Sequence, residues 1–127
     1  MVAQWFDSNA DILPEVQGWY DARGLGKLNA DLFPPTGAVV PGVAAMFCYL
    51  TNSKKAYVEG TSSNPAIGRT YRMAAISDCL VRISEKLVEL GYSAVWSITA
   101  FDSLISVGEA HGFRCSQKDH AYLIKEF

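Results

Sequence analysis

Residues 55–91 constrain the fold more than any other part of this 127-residue chain, because they read as a strand, a turn and one long amphipathic helix in succession. The run Ala56-Tyr57-Val58-Glu59-Gly60-Thr61-Ser62 mixes aromatic and β-branched residues, as a half-buried strand does. Asn64-Pro65 stops it, since proline has no N–H for a ladder and restricts the residue before it. Beyond Gly68, the residues Ile76, Leu80, Ile83, Leu87 and Leu90 alternate spacings of four and three, which is one apolar stripe of a 3.6-residue period. Asp78 with Arg82, and Lys86 with Glu89, decorate the outer face, and Gly91 stands where a helix commonly ends in a left-handed residue. A helix entered in this way offers unpaired N–H groups and the positive end of its dipole, which suit a phosphate. Strand, turn and helix N-terminus together make the candidate site.

Composition narrows the class. Half the residues are hydrophobic and 19% are charged, as in a folded globule, and the length suits a single domain spanning residues 1–127. Net charge is −2 with basic residues scattered, so the electrostatic footprint of a nucleic-acid binder is missing. The longest apolar run, Gly37 to Leu50, is too short for a bilayer and is broken by Pro41-Gly42, so no membrane partner is expected. No basic segment precedes an apolar one at Met1-Val2-Ala3-Gln4-Trp5, so no signal peptide is expected. Cys48, Cys79 and Cys115 are odd in number and far apart, which fits reduced thiols in a cytoplasm, and no Cys/His spacing suggests a metal.

Taken in order, Val2 to Phe6 gives a short strand, and residues 7–11 offer N-cap candidates for a helix to about Ala22, with Pro14 in its first turn. That helix shows Ile12, Val16, Trp19 and Tyr20 on one face. A loop through Phe33-Pro34-Pro35 leads into a hairpin turning at Pro41-Gly42. After the long helix, Ser93 to Thr99 has apolar residues on both faces, as a central strand would. Asp102 or Ser103 is expected to cap a short helix ending at His111-Gly112-Phe113, and Phe113–Cys115 with Ala121–Ile124 to form a last hairpin. The order is β-α-β-β-β-α-β-α-β-β, an α/β mixed sheet with helices layered on it.

That order, with several short words in place, resembles the GNAT N-acetyltransferase superfamily over almost the whole chain. The words are Leu32-Phe33-Pro34-Pro35-Thr36-Gly37, Ser63-Asn64-Pro65, Glu89-Leu90-Gly91-Tyr92, Ala94-Val95-Trp96-Ser97-Ile98 and His111-Gly112-Phe113. The small N-terminal part is similar to short acetyltransferase-like proteins of bacteriophages. The resemblance implies acetyl-CoA as co-substrate and an amine acceptor, a small molecule or a protein amino group. It implies a bacterial cytoplasm, or a virion if the chain is a phage structural protein.

In that family the two central parallel strands splay, the pantetheine arm enters the gap, and the pyrophosphate rests on the first turn of the next helix. Carried over, Thr61 and Ser62 lie on the strand that borders the cofactor. Ile67, Gly68, Arg69, Thr70, Tyr71, Arg72 and Met73 form the phosphate turn. Glu59, mid-strand, is the candidate base, while Trp19 and Phe33 border the acceptor. The sequence also departs from the family. The usual Gln/Arg-x-x-Gly-x-Gly/Ala loop has Arg72 at its first glycine when started at Arg69. Gly108 stands where many members carry an acidic tyrosine, and Phe101 or Asp102 replaces a frequent asparagine. A GNAT-fold protein that binds or serves structurally without catalysis is therefore the alternative. His111 and His120 read as a helix end and a turn, and Trp96 as a core residue.

Overall fold

The structure, a computed structural model, describes residues 2–99, 101–115 and 125. Its elements are β1 (Gln4–Phe6), α1 (Leu13–Ala22), a 3-10 turn (Ala30–Leu32), β2 (Gly37–Val40), β3 (Ala44–Tyr49), β4 (Lys55–Ser63), α2 (Arg69–Glu89), β5 (Ala94–Ser97) and α3 (Asp102–Ala110). The strands form one sheet in the order β1-β2-β3-β4-β5, antiparallel as far as β4, with β4 and β5 parallel. The expected mixed α/β sheet is thus present, with the long helix linking the parallel pair. The last hairpin falls, except for residues 113–115, outside the described residues.

Both faces of the sheet are covered, which explains why β3 is apolar without alternation. Ala38, Val40, Ala44, Met46, Cys48, Ala56 and Val58 pack beneath Ile76, Cys79, Leu80, Ile83 and Leu87 of α2. The intervening Val39, Ala45 and Phe47 pack on the other face beneath Leu13, Val16 and Trp19 of α1. The stripe read from the sequence is the buried face of α2 as far as Leu87, whereas Leu90, its last member, falls just past the helix end and is exposed. Gly91, at φ +88°, ends that helix as expected of a left-handed C-terminal residue.

Two helix starts differ from expectation. α1 begins at Leu13 without a side-chain cap. Asn9 instead donates its amide to the Pro34 carbonyl at 3.0 Å, while Ser8 Oγ accepts from Ala10 N. Tertiary and turn contacts took these side chains from the cap. Asp102 is the first residue of α3, not its cap; Phe101 holds that position, also without a side-chain bond. Among the described residues β5 is the last strand of the sheet, and Trp96 on it is 42% exposed, so this indole is not a core residue.

Candidate functional site

The site begins with an irregularity in β4. Phe47 pairs with Glu59, yet Ala45 pairs with Ser62, so β4 holds one residue more than β3 between these pairs. Gly60, at φ +70°, carries the bulge. A side chain there would be strained by that φ, and its Cβ would lie 2.9 Å from Phe33 Cε1. The extra residue exchanges the faces of everything after it. Glu59 and Ser62, three residues apart, both look toward the α1 face, and Ser63 looks toward α2.

A second irregularity lies on the other edge of β4. The parallel ladder with β5 runs from Lys55–Ala94 to Val58–Ser97. It ends in a side-chain bond, Ser97 Oγ donating to the Val58 carbonyl at 2.9 Å. Among the described residues nothing on β5 pairs with β4 beyond this point, so no described strand covers the outer edge of β4 from Gly60 to Ser63. Asn64 N donates to the Val43 carbonyl at 2.8 Å, which directs the backbone of Asn64 toward the hairpin. By ladder alternation the backbone groups of Ser63 then point outward into the opening, and those of Ser62 point to β3. Ser62 is also 8% exposed, so it supports the edge from behind.

The turn after β4 is built by Asn64. Its Oδ1 accepts from Ala66 N at 2.9 Å and its Nδ2 donates to the Gly42 carbonyl at 2.9 Å, tying the turn to the β2–β3 hairpin. Ile67 is half-buried and packs on the α2-side core, as does Met73. Gly68 is the N-cap of α2 and, among the described residues, has no neighbour within 4 Å of the space a Cβ would fill. No side chain caps this helix and its first turn has no acidic residue. Arg69, Thr70 and Tyr71 are exposed there, so the first N–H groups and the positive dipole end face solvent. Arg72 turns back, its Nη1 donating to Ser63 Oγ at 3.3 Å.

Arg23, which closes α1, reaches the same place and was not singled out from the sequence. Its Nη1 donates to the Ser63 carbonyl at 2.5 Å and its Nη2 to Ser63 Oγ at 3.4 Å. Burial and then the Arg72 charge lower its pKa. Nothing local announces this contact, since 40 residues separate the partners.

On the α1 face Glu59 stands among tyrosines. Burial, and then the charge and hydrogen bonding of Glu59, raise the Tyr49 pKa. Tyr20 is raised by burial, with Arg23 opposing and Glu59 adding to the shift. Below Glu59 on the same face runs an aromatic row, Tyr49 stacked on Tyr57 at 6.0 Å and Tyr57 against Trp96 at 4.7 Å. Lys55 Nζ lies 5.1 Å from the Trp96 ring centroid, so the row already attracts a cation. A period-2 reading of Tyr57 and Glu59 against Trp96 marks these residues as sharing a face once the strand register is known.

The residues expected at the acceptor are divided by the structure. Phe33 is half-buried, edge-on to Phe47 at 5.0 Å and in reach of Gly60, so it backs the bulge beside Glu59. Trp19 is 5% exposed and belongs to the core between α1 and the sheet. Its place on a helix bordering the site concealed that its ring faces inward. Gly108 of α3 has Phe113 packed on it, 3.4 Å from the space a Cβ would fill. Two surface hollows, about 250 Å3 beside Lys54 and Tyr92 and about 340 Å3 beside Leu13 and Leu28, share no residue with the opening.

Compared by sequence, the chain matches no family model and no curated protein. Compared by structure, it is similar along its length to acetyltransferases. An aminoglycoside acetyltransferase from an uncultured soil metagenomic sample, in complex with sisomicin, superposes with a TM-score of 0.71 at 10% identity, covering 98% of this chain and 95% of that one. A GNAT-family acetyltransferase of Streptococcus pneumoniae gives 0.60 at 12% identity, covering 98% of each chain. AAC(6')-Iy in complex with a bisubstrate analogue, CoA-S-monomethyl-acetylneamine, gives 0.60 at 12% identity, covering 100% and 99%. The fold of this chain is that of the GNAT acetyltransferases.

Proposed function

We propose that this protein transfers an acetyl group from acetyl-CoA to a small-molecule amine. The observation that carries the reading is the outer edge of β4 from Gly60 to Ser63, which no described strand covers and which leads directly to the uncapped, acid-free first turn of α2. An open strand edge offers backbone groups to an extended, amide-bearing arm, and the helix end offers N–H groups to a diphosphate. The open space at Gly68 and the absence of any carboxylate in that turn fit such a group. Acetyl-CoA would supply an activated acetyl thioester. Thr61 borders its arm with Ser62 behind, and Ile67, Gly68, Arg69, Thr70, Tyr71, Arg72 and Met73 form the phosphate turn.

Glu59 is the base. It stands one residue before the bulge, on the face that carries the aromatic row, and takes a proton from the acceptor ammonium directly or through one water. Its charge also draws that cation to the row, where Tyr57 and Trp96 offer π faces and Phe33 closes the upper side. With Gly108 under Phe113, water protonates the departing thiolate, which is a fair leaving group without help. That same feature favours the second reading, a GNAT-fold protein that binds without turnover, as a module of a phage particle would.

Thioester cleavage with a panel of amines decides between them. Wild type should turn over a cationic amine, and Glu59→Gln should lose about 10²–10⁴-fold at neutral pH. Activity of the variant should partly recover at higher pH, where the amine deprotonates itself. Equal rates would clear Glu59 of the role. No turnover by wild type with any amine would leave the binding module.

A further inference from the structure

Arg23 and Arg72 converge from different helices on a single neutral side chain. Nη2 of Arg23 and Nη1 of Arg72 lie 3.4 and 3.3 Å from Ser63 Oγ. Among the described residues, the ion pairs are Arg82 with Glu85 and Lys86 with Glu89, so neither converging guanidinium is neutralised by a carboxylate. Arg72 Nε is buried and has no hydrogen-bond partner among the described residues. Like charges around one hydroxyl repel, and after burial, which is the larger cause, the Arg72 charge also lowers the Arg23 pKa. A hydroxyl offers no charge to offset it. An anion between the two forks does, and planar guanidinium donors match phosphate oxygens in pairs.

We propose that Arg23 and Arg72 form a two-guanidinium clamp for a phosphate group at the mouth of the β4–β5 opening. The clamp adds α1 to the phosphate turn of α2, so one anion is held from both sides of Ser63. Arg23 has a further consequence. It holds the outward-facing Ser63 carbonyl at 2.5 Å, the group an incoming amide would use at this end of the edge. An anion that draws the guanidinium away frees that carbonyl, and filling the clamp and opening the edge become one event. The proposal rests on the cofactor reading only in taking the phosphate from the diphosphate of CoA. Inorganic pyrophosphate presents the same chemistry without the cofactor.

The test measures binding of inorganic pyrophosphate and of CoA by calorimetry at two salt concentrations. The proteins are wild type, Arg23→Met, Arg23→Lys and Arg72→Met, each checked for native near-ultraviolet circular dichroism. Wild type should bind both ligands, more weakly at high salt. Arg23→Met should lose at least about tenfold in affinity for both, with a shallower salt dependence, as an ionic contact requires. Arg23→Lys should fall between, since an ammonium cannot serve two oxygens in one plane. Pyrophosphate binding that depends on Arg23, with no binding of CoA, would uphold the clamp and end the acetyl-CoA reading. CoA binding equal in wild type and Arg23→Met would overturn the clamp and leave that reading intact. Failure of wild type to bind either ligand would overturn both.

Discussion

Ser97 ends the β4–β5 ladder by donating its hydroxyl to the Val58 carbonyl at 2.9 Å. The opening therefore starts at a defined point, where a side chain replaces the next backbone donor. Glu59 follows at once on β4, so the end of the ladder sets how far the proposed base stands from the apex of the gap.

Replacing Ser97 by alanine removes the donor and leaves the Val58 carbonyl to water. The variant should lose about 1 kcal/mol of stability, the usual net contribution of one such bond. Urea unfolding of the two proteins measures it, and an unchanged midpoint would show that the strands separate without this bond.

The bulge depends on Gly60 and is backed by Phe33. Gly60→Ala places a Cβ at φ +70° and 2.9 Å from Phe33 Cε1, costing roughly 1–3 kcal/mol. Phe33→Leu in the same chain should recover only the steric part, because it leaves the backbone strain in place. A double-mutant cycle in urea checks this, and strictly additive losses would mean that ring and bulge do not interact.

Cys48 and Cys79 are fully buried, and burial pushes each thiol up to about 12. An unfolded thiol ionises near about 8.5. The folded values are higher, so these groups favour the folded state fully below that pH. Their contribution is lost as pH climbs through the folded values near 12. At pH 8 iodoacetamide should leave both untouched in the native protein and modify both in urea, as peptide mass spectrometry would read. Rapid native alkylation of either would contradict its burial.

The strand–turn–helix of residues 55–91 was legible because each part of it is set locally. A 3.6-residue stripe from Ile76 to Leu87 has one face to bury, Asn64-Pro65 interrupts a ladder whatever surrounds it, and Gly91 takes a positive φ that few residues accept. The GNAT-like order of elements follows from such local signals taken in sequence. What the residues after Gly60 face was not legible, because the bulge is defined only against β3, where Ala45 and Phe47 take Ser62 and Glu59 as partners. The cap expected among residues 7–11 failed for a related reason, since a polar side chain with several partners in reach goes to the one the fold supplies, as Asn9 does with Pro34; at α3 the helix starts one residue earlier, at Asp102 itself. Trp19 and Trp96 changed places, the first turned into the core and the second left partly open, since hydrophobicity alone does not say which face of an element finds a cover. The meeting of Arg23 and Arg72 at Ser63 belongs wholly to the tertiary structure. Two cations far apart in the chain carry no mutual signal until the sheet brings α1 and α2 to the same strand end.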